Sequence, residues 1–445
     1  MSTPIWTKDS RSDPTDAMRF MCDQDIELDR RLMLYDIEAS RVHIQGLVDI
    51  GAIENDALRR INESLDALRD SFVDGSFVLD NRYEDCHSAI EHYLSERLGE
   101  LGRRVHLGRS RNDQVLVALR MYMKDVLVRG ASLGLDAASA SLERARAHEF
   151  DPMPGYTHLQ RAVPSSVGLW MASFAESFAS DVSLLLKTLD WIDDCPLGTA
   201  AGYGVNLDLE RVKNASRLGF GRVLINPMHA QATRGAYEAQ TLASFWQVAQ
   251  TIRRLAWDLS LFTSKEFLFV TMPADALTGS SIMPNKRNPD LVELLRGVAP
   301  VVSACIVELH QLLALPSGYH RDLQRTKSSL VRGSMAILDA LELAPSMIRN
   351  MEFDLDRMHD SIDPEMYATD RATRIALDGE AFRDAYHKVA SSLDDIEDCD
   401  AHASIAARIS LGAPGNLALD QLESMIRDLR EQTDAYSQAR GIGVI

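Results

Sequence analysis

Four segments with very few helix breakers, Asp113 to His148, Ser165 to Ile192, Ala236 to Phe262 and Pro289 to Leu315, restrict this chain more than any other feature. Each is far longer than the ~11–12 residues of an average helix. Helices of that length bury their apolar stripes by lying side by side, so a bundle is expected at the centre. The Val, Leu, Ala and Met stripes along them read as core rather than as a cofactor box. Upstream, Ile37, Val42, Ile44, Leu47 and Val48, then Ile53, Leu58, Ile61, Leu65 and Leu68, recur at helical spacing on either side of Gly51. Asp80 to Arg82 reads as a turn, and Ile90, Leu94 and Leu98 mark a further stripe between Glu84 and Leu101. From Asp363 the pattern shortens to small helices and turns. No strand pattern or repeat persists, and only 15 prolines interrupt 445 residues. The expected fold class is all-α, with two or three structural units at this length.

Charge and cysteine usage narrow the function. A formal net charge of -18 argues against a nucleic-acid partner, which needs a basic surface. It leaves room for a small anionic substrate held by a local cluster of Arg and Lys. Cys22, Cys86, Cys195, Cys305 and Cys399 form no CxxC pair, and the twelve histidines give no HxxxH spacing. Neither a zinc site nor a disulfide framework is expected, and a reducing compartment suits such thiols. The acidic run Asp394, Asp395, Glu397, Asp398 and Asp400 lacks Gly-turned EF-hand spacing and reads as a solvated face. Met1 to Asp16 is polar, without the apolar core of a signal peptide. Ala162 to Ala175, the longest uncharged apolar stretch, is short of the ~20 residues that span a bilayer. A cytoplasmic location without membrane contact is expected.

The breaks between the long segments carry the chemistry. His106 to Gln114 sets Arg109, Ser110, Arg111, Asn112 and Asp113 in succession. Ser, Asn and Asp suit a helix N-cap, whereas Arg forks converging with a helix N-terminus suit a carboxylate. Both readings stand at this point. Thr157 and His158 lie between Pro154-Gly155 and the start of a long helix, where an acid/base group would be held firmly. Gly279 to Pro289 packs two hydroxyls, an ammonium, a guanidinium and an amide between Pro284, Pro289 and a glycine. That set suits elimination next to a carboxylate. Taking a proton from the neighbouring carbon drives negative charge onto the carboxylate, which fixed cations and donors must stabilise. Tyr319 to Lys327 is a polar patch that could hold the other end of a substrate or merely enter a surface helix.

At these segments the chain resembles the fumarase/aspartase superfamily, and within it the argininosuccinate lyase family. Gly279 to Asn288 matches the superfamily pattern GSSxMPxKxN at every fixed position. Ser110 to Gln114 and Gly155 to Arg161 resemble stretches that separate argininosuccinate lyases from fumarases and aspartases. Further matches are Asp36-Ile37 with Ser40 and His43, Glu84-Asp85 with His87, Ile90 and Glu91, Asp322 to Gln324, and Tyr367 with Thr369-Asp370. The resemblance implies a metal- and cofactor-free anti-elimination that releases fumarate and arginine. It also implies three domains, over residues 1–112, 113–364 and 365–445, the middle one a long-helix bundle. Four copies would join through their bundles, each active site drawing loops from three chains.

Carried over by position, Ser280 becomes the base that takes the Cβ proton, with Lys286 and Asn288 stabilising the resulting aci-carboxylate. His158 would assist protonation of the leaving nitrogen. Ser40, Arg111, Asn112 and Thr157 would bind the succinyl carboxylates, and Tyr319, Gln324 and Lys327 the arginine end. The chain departs from the family pattern at Leu107, where Thr is usual, and at Arg325-Thr326, where an acidic pair follows Leu-Gln. Arg234 lacks its usual acidic neighbours, and Pro196 to Gly204 is a variant glycine loop. These departures spare the proton-abstraction set and bear on the leaving amine. The same chemistry would serve adenylosuccinate or an aminopolycarboxylate. An inactive, crystallin-like relative is a further alternative, against which the intact Ser280, His158, Lys286 and Asn288 weigh.

Overall fold

The computed structural model describes residues 16–313, 318–396 and 400–440, the side chains of 16–19, 21–23, 439 and 440 excepted. Residues 1–15, the tail of the fourth long segment (Ala314 and Leu315), the start of the Pro316–Lys327 break, and Glu397, Asp398 and Cys399 lie outside them. The principal helices are α1 (Asp16–Asp29), α2 (Met33–Asp49), α3 (Asn55–Val73), α4 (Cys86–Leu98), α5 (Arg111–Ala147), α6 (Val167–Trp191), α7 (Ala236–Phe262), α8 (Asp290–Gln311), α9 (Thr326–Asn350), α10 (Ala368–Leu377), α11 (Phe382–Ala390) and α12 (Leu419–Arg440). Each of the four breaker-poor segments supplies a long helix among the described residues, and α9 adds a fifth. No helix among the described residues is long and apolar enough to cross a membrane.

Helix directions follow from the side chains that meet. Lys124 of α5 pairs with Asp193 beyond the end of α6, while Gly134 lies against Val182, so α5 and α6 are antiparallel. Tyr122 and Ser334 share a hydrogen bond of 2.8 Å, and Arg349 reaches Glu143 at 2.9 Å, so α9 runs parallel to α5. Asp258 of α7 accepts from Trp170 near the start of α6 (2.9 Å), and Asp181 accepts from Thr251 (2.6 Å), which makes α7 parallel to α5. Trp246 donates to Ser303, and Arg296 stacks over Trp257, so α8 runs back against α7. The starts of α5, α7 and α9 therefore gather at one end of the bundle. The start of α8 and the end of α5 lie at the other.

Burial explains the lengths. Leu119, Met123, Val126, Phe174, Phe178, Leu185, Phe245, Ile252, Leu338 and Leu341 are all essentially inaccessible and belong to one continuous core. Close approach shows at Gly130, where a Cβ would lie 2.4 Å from the Phe245 ring, a contact that any side chain would forbid. A small separate core of Ile362, Met366, Tyr367, Ala372, Val389, Ile396 and Ala401 forms around α10 and α11. Beyond it, α12 returns to the bundle, burying Ile426 and Leu429 in the main core, with Arg430 on Asp136 (2.6 Å). The expectation of only short elements after Asp363 fails at this 22-residue helix.

The sequence also concealed a β-hairpin. Strands β1 (Pro152–Thr157) and β2 (Gln160–Ser166) pair antiparallel between α5 and α6, with an irregularity at Pro154–Tyr156. Three prolines in thirteen residues remove ladder donors and mask the strand pattern. Ser166 then caps α6, accepting from the Leu169 amide at 3.1 Å. His158 consequently sits at a hairpin tip, not at the entrance to a long helix.

Candidate active site

The start of α5 satisfies both readings of its sequence. Ser110 accepts from the Asn112 amide (3.3 Å) while Asp113 accepts from the Ser110 amide (2.9 Å), closing a capping box. The other Asp113 oxygen takes the amides of Gly198 (3.1 Å) and Ala200 (3.0 Å), which fastens the variant glycine loop to the helix start. With the cap in place, Arg111 and Asn112 face a cavity of about 280 Å³. Tyr319, Gln324 and Lys327 line the same cavity, together with Asp25, Glu84, Asp85, Arg234 and Arg321. Five of the residues singled out from sequence thus converge, although more than two hundred positions separate them.

Electrostatics hold the cavity wall in place. Arg111 spans Glu84 (2.9 Å) and Asp85 (3.1 Å), and Arg321 adds to Glu84 at 3.3 Å. Burial lifts the Glu84 carboxyl above its ordinary range, with Arg111 only partly offsetting it. Lys327 is buried, its ammonium 2.5 Å from Asp25 and 2.7 Å from Asp29. Burial disfavours that ammonium, yet the two carboxylates override it and raise its pKa. Arg234 pairs with Glu238 one turn ahead (3.5 Å) and donates to Thr326 and to the Leu323 carbonyl. Glu238 supplies the acidic partner that the sequence next to Arg234 lacks.

Behind this wall, Ser40 is only 2% exposed and its hydroxyl accepts from Arg109 at 2.8 Å. Arg109 also meets Asp36, which pairs with His87 at 2.7 Å. The structure therefore seats Ser40 beneath the cavity rather than on its lining. Leu107 is 44% exposed, and its carbonyl meets His43 Nε2 at 2.9 Å, so its departure from Thr falls on an outward side chain.

Thr157 and His158 lie elsewhere. They are exposed at the hairpin tip, where His158 (φ 54°) and Leu159 (φ 57°) both adopt the left-handed conformation that favours glycine. Such strain in two non-glycine residues is typical of functional turns. The third group, Ser280, Lys286 and Asn288, occupies a loop closed by pairing of β3 (Thr278–Gly279) with β4 (Arg287–Asn288) ahead of α8. The Ser280 hydroxyl accepts from the amides of Met283 (3.0 Å) and Ile282 (3.3 Å), donors that would stabilise an alkoxide. Lys286 is exposed and, among the described residues, forms no ion pair. At 1.5 Å per residue, the 37 residues of α5 place about 55 Å between Asn112 and the end bearing the other two groups. One chain therefore does not bring the three together. A larger cavity of about 880 Å³ between the hairpin and the small core is walled by Tyr156, Phe267, Phe382 and Tyr386 and contains none of these residues.

The cavity residues missed from sequence are Asp25, Glu84, Asp85 and Arg321. Glu84-Asp85 was visible as a motif without a role. Asp25 and Asp29 stand one turn apart on α1, and like charges at that spacing destabilise a helix unless a cation answers them. Asp29, Cys86 and His87 place ligand-type atoms within 4.8 Å of one another. Asp29 is already bound to Lys327 and to the Cys86 amide, and the ammonium there opposes a metal cation. Cys86, Cys195 and Cys305 are buried free thiols, and burial pushes Cys195 up to about 12.

Residues 9–303 match the family model described as "Lyase". The argininosuccinate lyase of Xanthomonas axonopodis pv. citri (strain 306) is 48% identical over 431 residues, covering 97% of this chain and 100% of that protein. That of Sorangium cellulosum (strain So ce56) is 49% identical over 425 residues, covering 95% and 98%. Among solved structures, EDDS lyase in complex with formate superimposes with a TM-score of 0.78 at 20% identity, covering 96% of this chain and 93% of that one. Class II fumarase from Schistosoma mansoni gives 0.68 at 16% identity, covering 83% and 90%. At those identities the structural matches establish the shared helical-bundle fold.

Proposed function

The chain belongs to the argininosuccinate lyase family of carbon–nitrogen lyases, and from that membership we propose that it splits argininosuccinate reversibly into arginine and fumarate. The observation that carries the reading is the convergence of Arg111, Asn112, Tyr319, Gln324 and Lys327 on one cavity at the start of α5. Ser280 removes the Cβ proton of the succinyl arm. Its two loop amides favour the alkoxide, with the Lys286 ammonium following on the same loop. The electron pair left on carbon delocalises into the adjacent carboxylate as an aci-dianion, which Lys286 and Asn288 stabilise. Collapse of that dianion expels the guanidino nitrogen, and His158 assists its protonation. Arg111, Asn112 and Thr157 hold the succinyl carboxylates, with Ser40 acting beneath them through Arg109. Tyr319, Gln324 and Lys327 hold the arginine half.

Because the three groups lie at opposite ends of one bundle, the reading requires several copies. A homotetramer joined through its bundles brings the hairpin tip and the Ser280 loop of other copies to the cavity. An apolar stripe along α8 supports this assembly: Leu294 is 73%, Val301 40% and Val307 60% exposed. Between them Gly297 and Ala304 are also exposed, which leaves a flat face for a partner helix. Division into units at 1–112, 113–364 and 365–445, a cytoplasmic location and freedom from cofactors complete the proposal. Purified protein mixed with argininosuccinate should release fumarate, read by its ultraviolet absorbance, with or without a chelator. Turnover of adenylosuccinate or aspartate in its place would overturn the assignment.

A further inference from the structure

The cavity of about 880 Å³ between the hairpin and the small core takes no part in the reaction proposed above. Its volume falls within the ~300–1,000 Å³ usual for small-molecule sites. One wall is aromatic and braced. Phe267 meets Tyr156 edge to face at 5.7 Å and Phe269 at 5.5 Å, and Arg357 donates to the carbonyls of Phe267 and Lys265. Between the two phenylalanines Leu268 holds φ at 50°, a strain that persists only where the surroundings fix it. A second wall comes from α11, where Phe382, Tyr386 and Val389 recur at helical spacing and all line the cavity. Phe382 is 54% and Tyr386 52% exposed, so the chain itself leaves much of this wall uncovered. Among the described residues of the lining, Arg161 is the one cation, set against Glu266, Asp363 and Glu365. Asp363 takes Arg161 at 2.8 Å, whereas Glu266 and Glu365 form no ion pair among the described residues.

We propose that this cavity binds an alkyl dication with amine or guanidine ends, at a site separate from the reaction. Aromatic faces attract organic cations, and a carboxylate answers the charge that the ring alone does not. Two unanswered acids select a doubly charged ligand, and the apolar walls select an alkyl body over an inorganic ion. A neutral or anionic compound of the same size would leave Glu266 and Glu365 without partners. Leu159 to Ala162 belong to the lining, so an occupant touches the hairpin whose tip carries His158. It would brace the hairpin against the small core, alongside the Arg161–Asp363 pair. The inference stands on the chemistry of this cavity and holds whichever amine the enzyme releases.

Agmatine, an ammonium and a guanidinium joined by a short alkyl chain, is the probe. Calorimetry on the intact protein at low ionic strength should show saturable binding of one agmatine per chain, weakening as salt rises. Phe382→Leu and Tyr386→Leu keep apolar bulk but remove an aromatic face, and each should weaken binding about two- to fivefold. Glu266→Gln combined with Glu365→Gln should weaken it about two- to tenfold. All four side chains are exposed, so these variants should keep the Tm of the parent. Gln324→Ala alters the other cavity and should leave agmatine binding unchanged. Magnesium, a dication without an alkyl body, should not compete, and butanediol, an alkyl chain without charge, should not bind. Absence of saturable agmatine binding, or its displacement by equimolar magnesium, would overturn the inference. So would binding that is lost in Gln324→Ala yet intact in the Phe382, Tyr386 and glutamate variants.

Discussion

The two ends of the bundle are built on opposite principles. At the start of α5, nearly every charged group has its partner in the same chain: Arg111 on Glu84 and Asp85, Lys327 on Asp25 and Asp29, Arg109 and His87 on Asp36. At the far end, His158, Leu159 and Lys286 project outward, and the hairpin tip is strained. A preorganised cleft and an unfinished set of reactive groups are what a shared active site requires. The cleft residues hold their geometry without help, and in the proposed shared site the loops would acquire theirs on meeting a neighbour. Substitutions at the far end should therefore cost catalysis, and substitutions beneath the cleft should cost stability.

The largest expected effect is at the far end. Ser280→Ala should lower kcat by roughly 10²–10⁴-fold, the usual contribution of a general base, with KM and Tm little changed. Equal damage to Tm would show that the loop is structural and would erase the contrast between the ends.

Next in size is complementation. Ser280→Ala and Asn112→Ala should each be nearly inactive alone. If sites combine ends from different copies, dissociating and reassembling an equal mixture should restore native residues at about a quarter of the sites. A mixture no more active than its components would place the whole site within one chain and would refute the composite cleft.

How much of this was legible from sequence follows the same division. The long helices showed because periodic apolar residues without breakers have few other ways to be buried, and Ser280 to Asn288 showed because a dense motif needs no tertiary information. The hairpin did not, since Pro152, Pro154 and Pro164 read as loop until β2 is seen to pair. The packing of α12 did not, since its exposed face outweighs Ile426 and Leu429 in any linear window. Ser40 was readable as a motif residue but not as a buried partner of Arg109. Asp25 looked like one acid among many, because its meaning depends on a lysine roughly three hundred positions later.

A moderate effect is expected beneath the cleft, at the buried pair of Asp36 and His87. Burial pushes Asp36 up and His87 down, yet each partner's charge overrides it, leaving Asp36 below and His87 above the ordinary values. The pair's contribution is thus complete between about pH 4 and 6.5, where both unfolded groups titrate. It declines as pH rises through the raised His87 value, and as pH falls through the depressed Asp36 value. His87→Asn should cost about 2–4 kcal/mol near neutrality, somewhat less than a broken isolated pair because Arg109 still reaches Asp36. It should also abolish the alkaline decline in a plot of Tm against pH. A variant as stable as the parent, with that decline intact, would mean that the cleft is less tightly prepaired than its geometry indicates.

The smallest effect is the sharpest test, because its sign reverses between the two readouts. Leu159 is 69% exposed at the hairpin tip, and its φ of 57° costs a side-chain-bearing residue about 1 kcal/mol that glycine does not incur. If the tip exists only to close a hairpin, Leu159→Gly should be neutral for turnover and mildly stabilising. If the strain instead presents Thr157 and His158 to a neighbouring cleft, the same change should raise Tm by a degree or two and lower kcat/KM several-fold. Glycine relaxes the turn and frees it to wander, and the exposed leucine no longer anchors it. A gain in stability coupled to a loss of activity is the outcome expected of strain kept for function, and the same gain with turnover unchanged would return the hairpin to the scaffold.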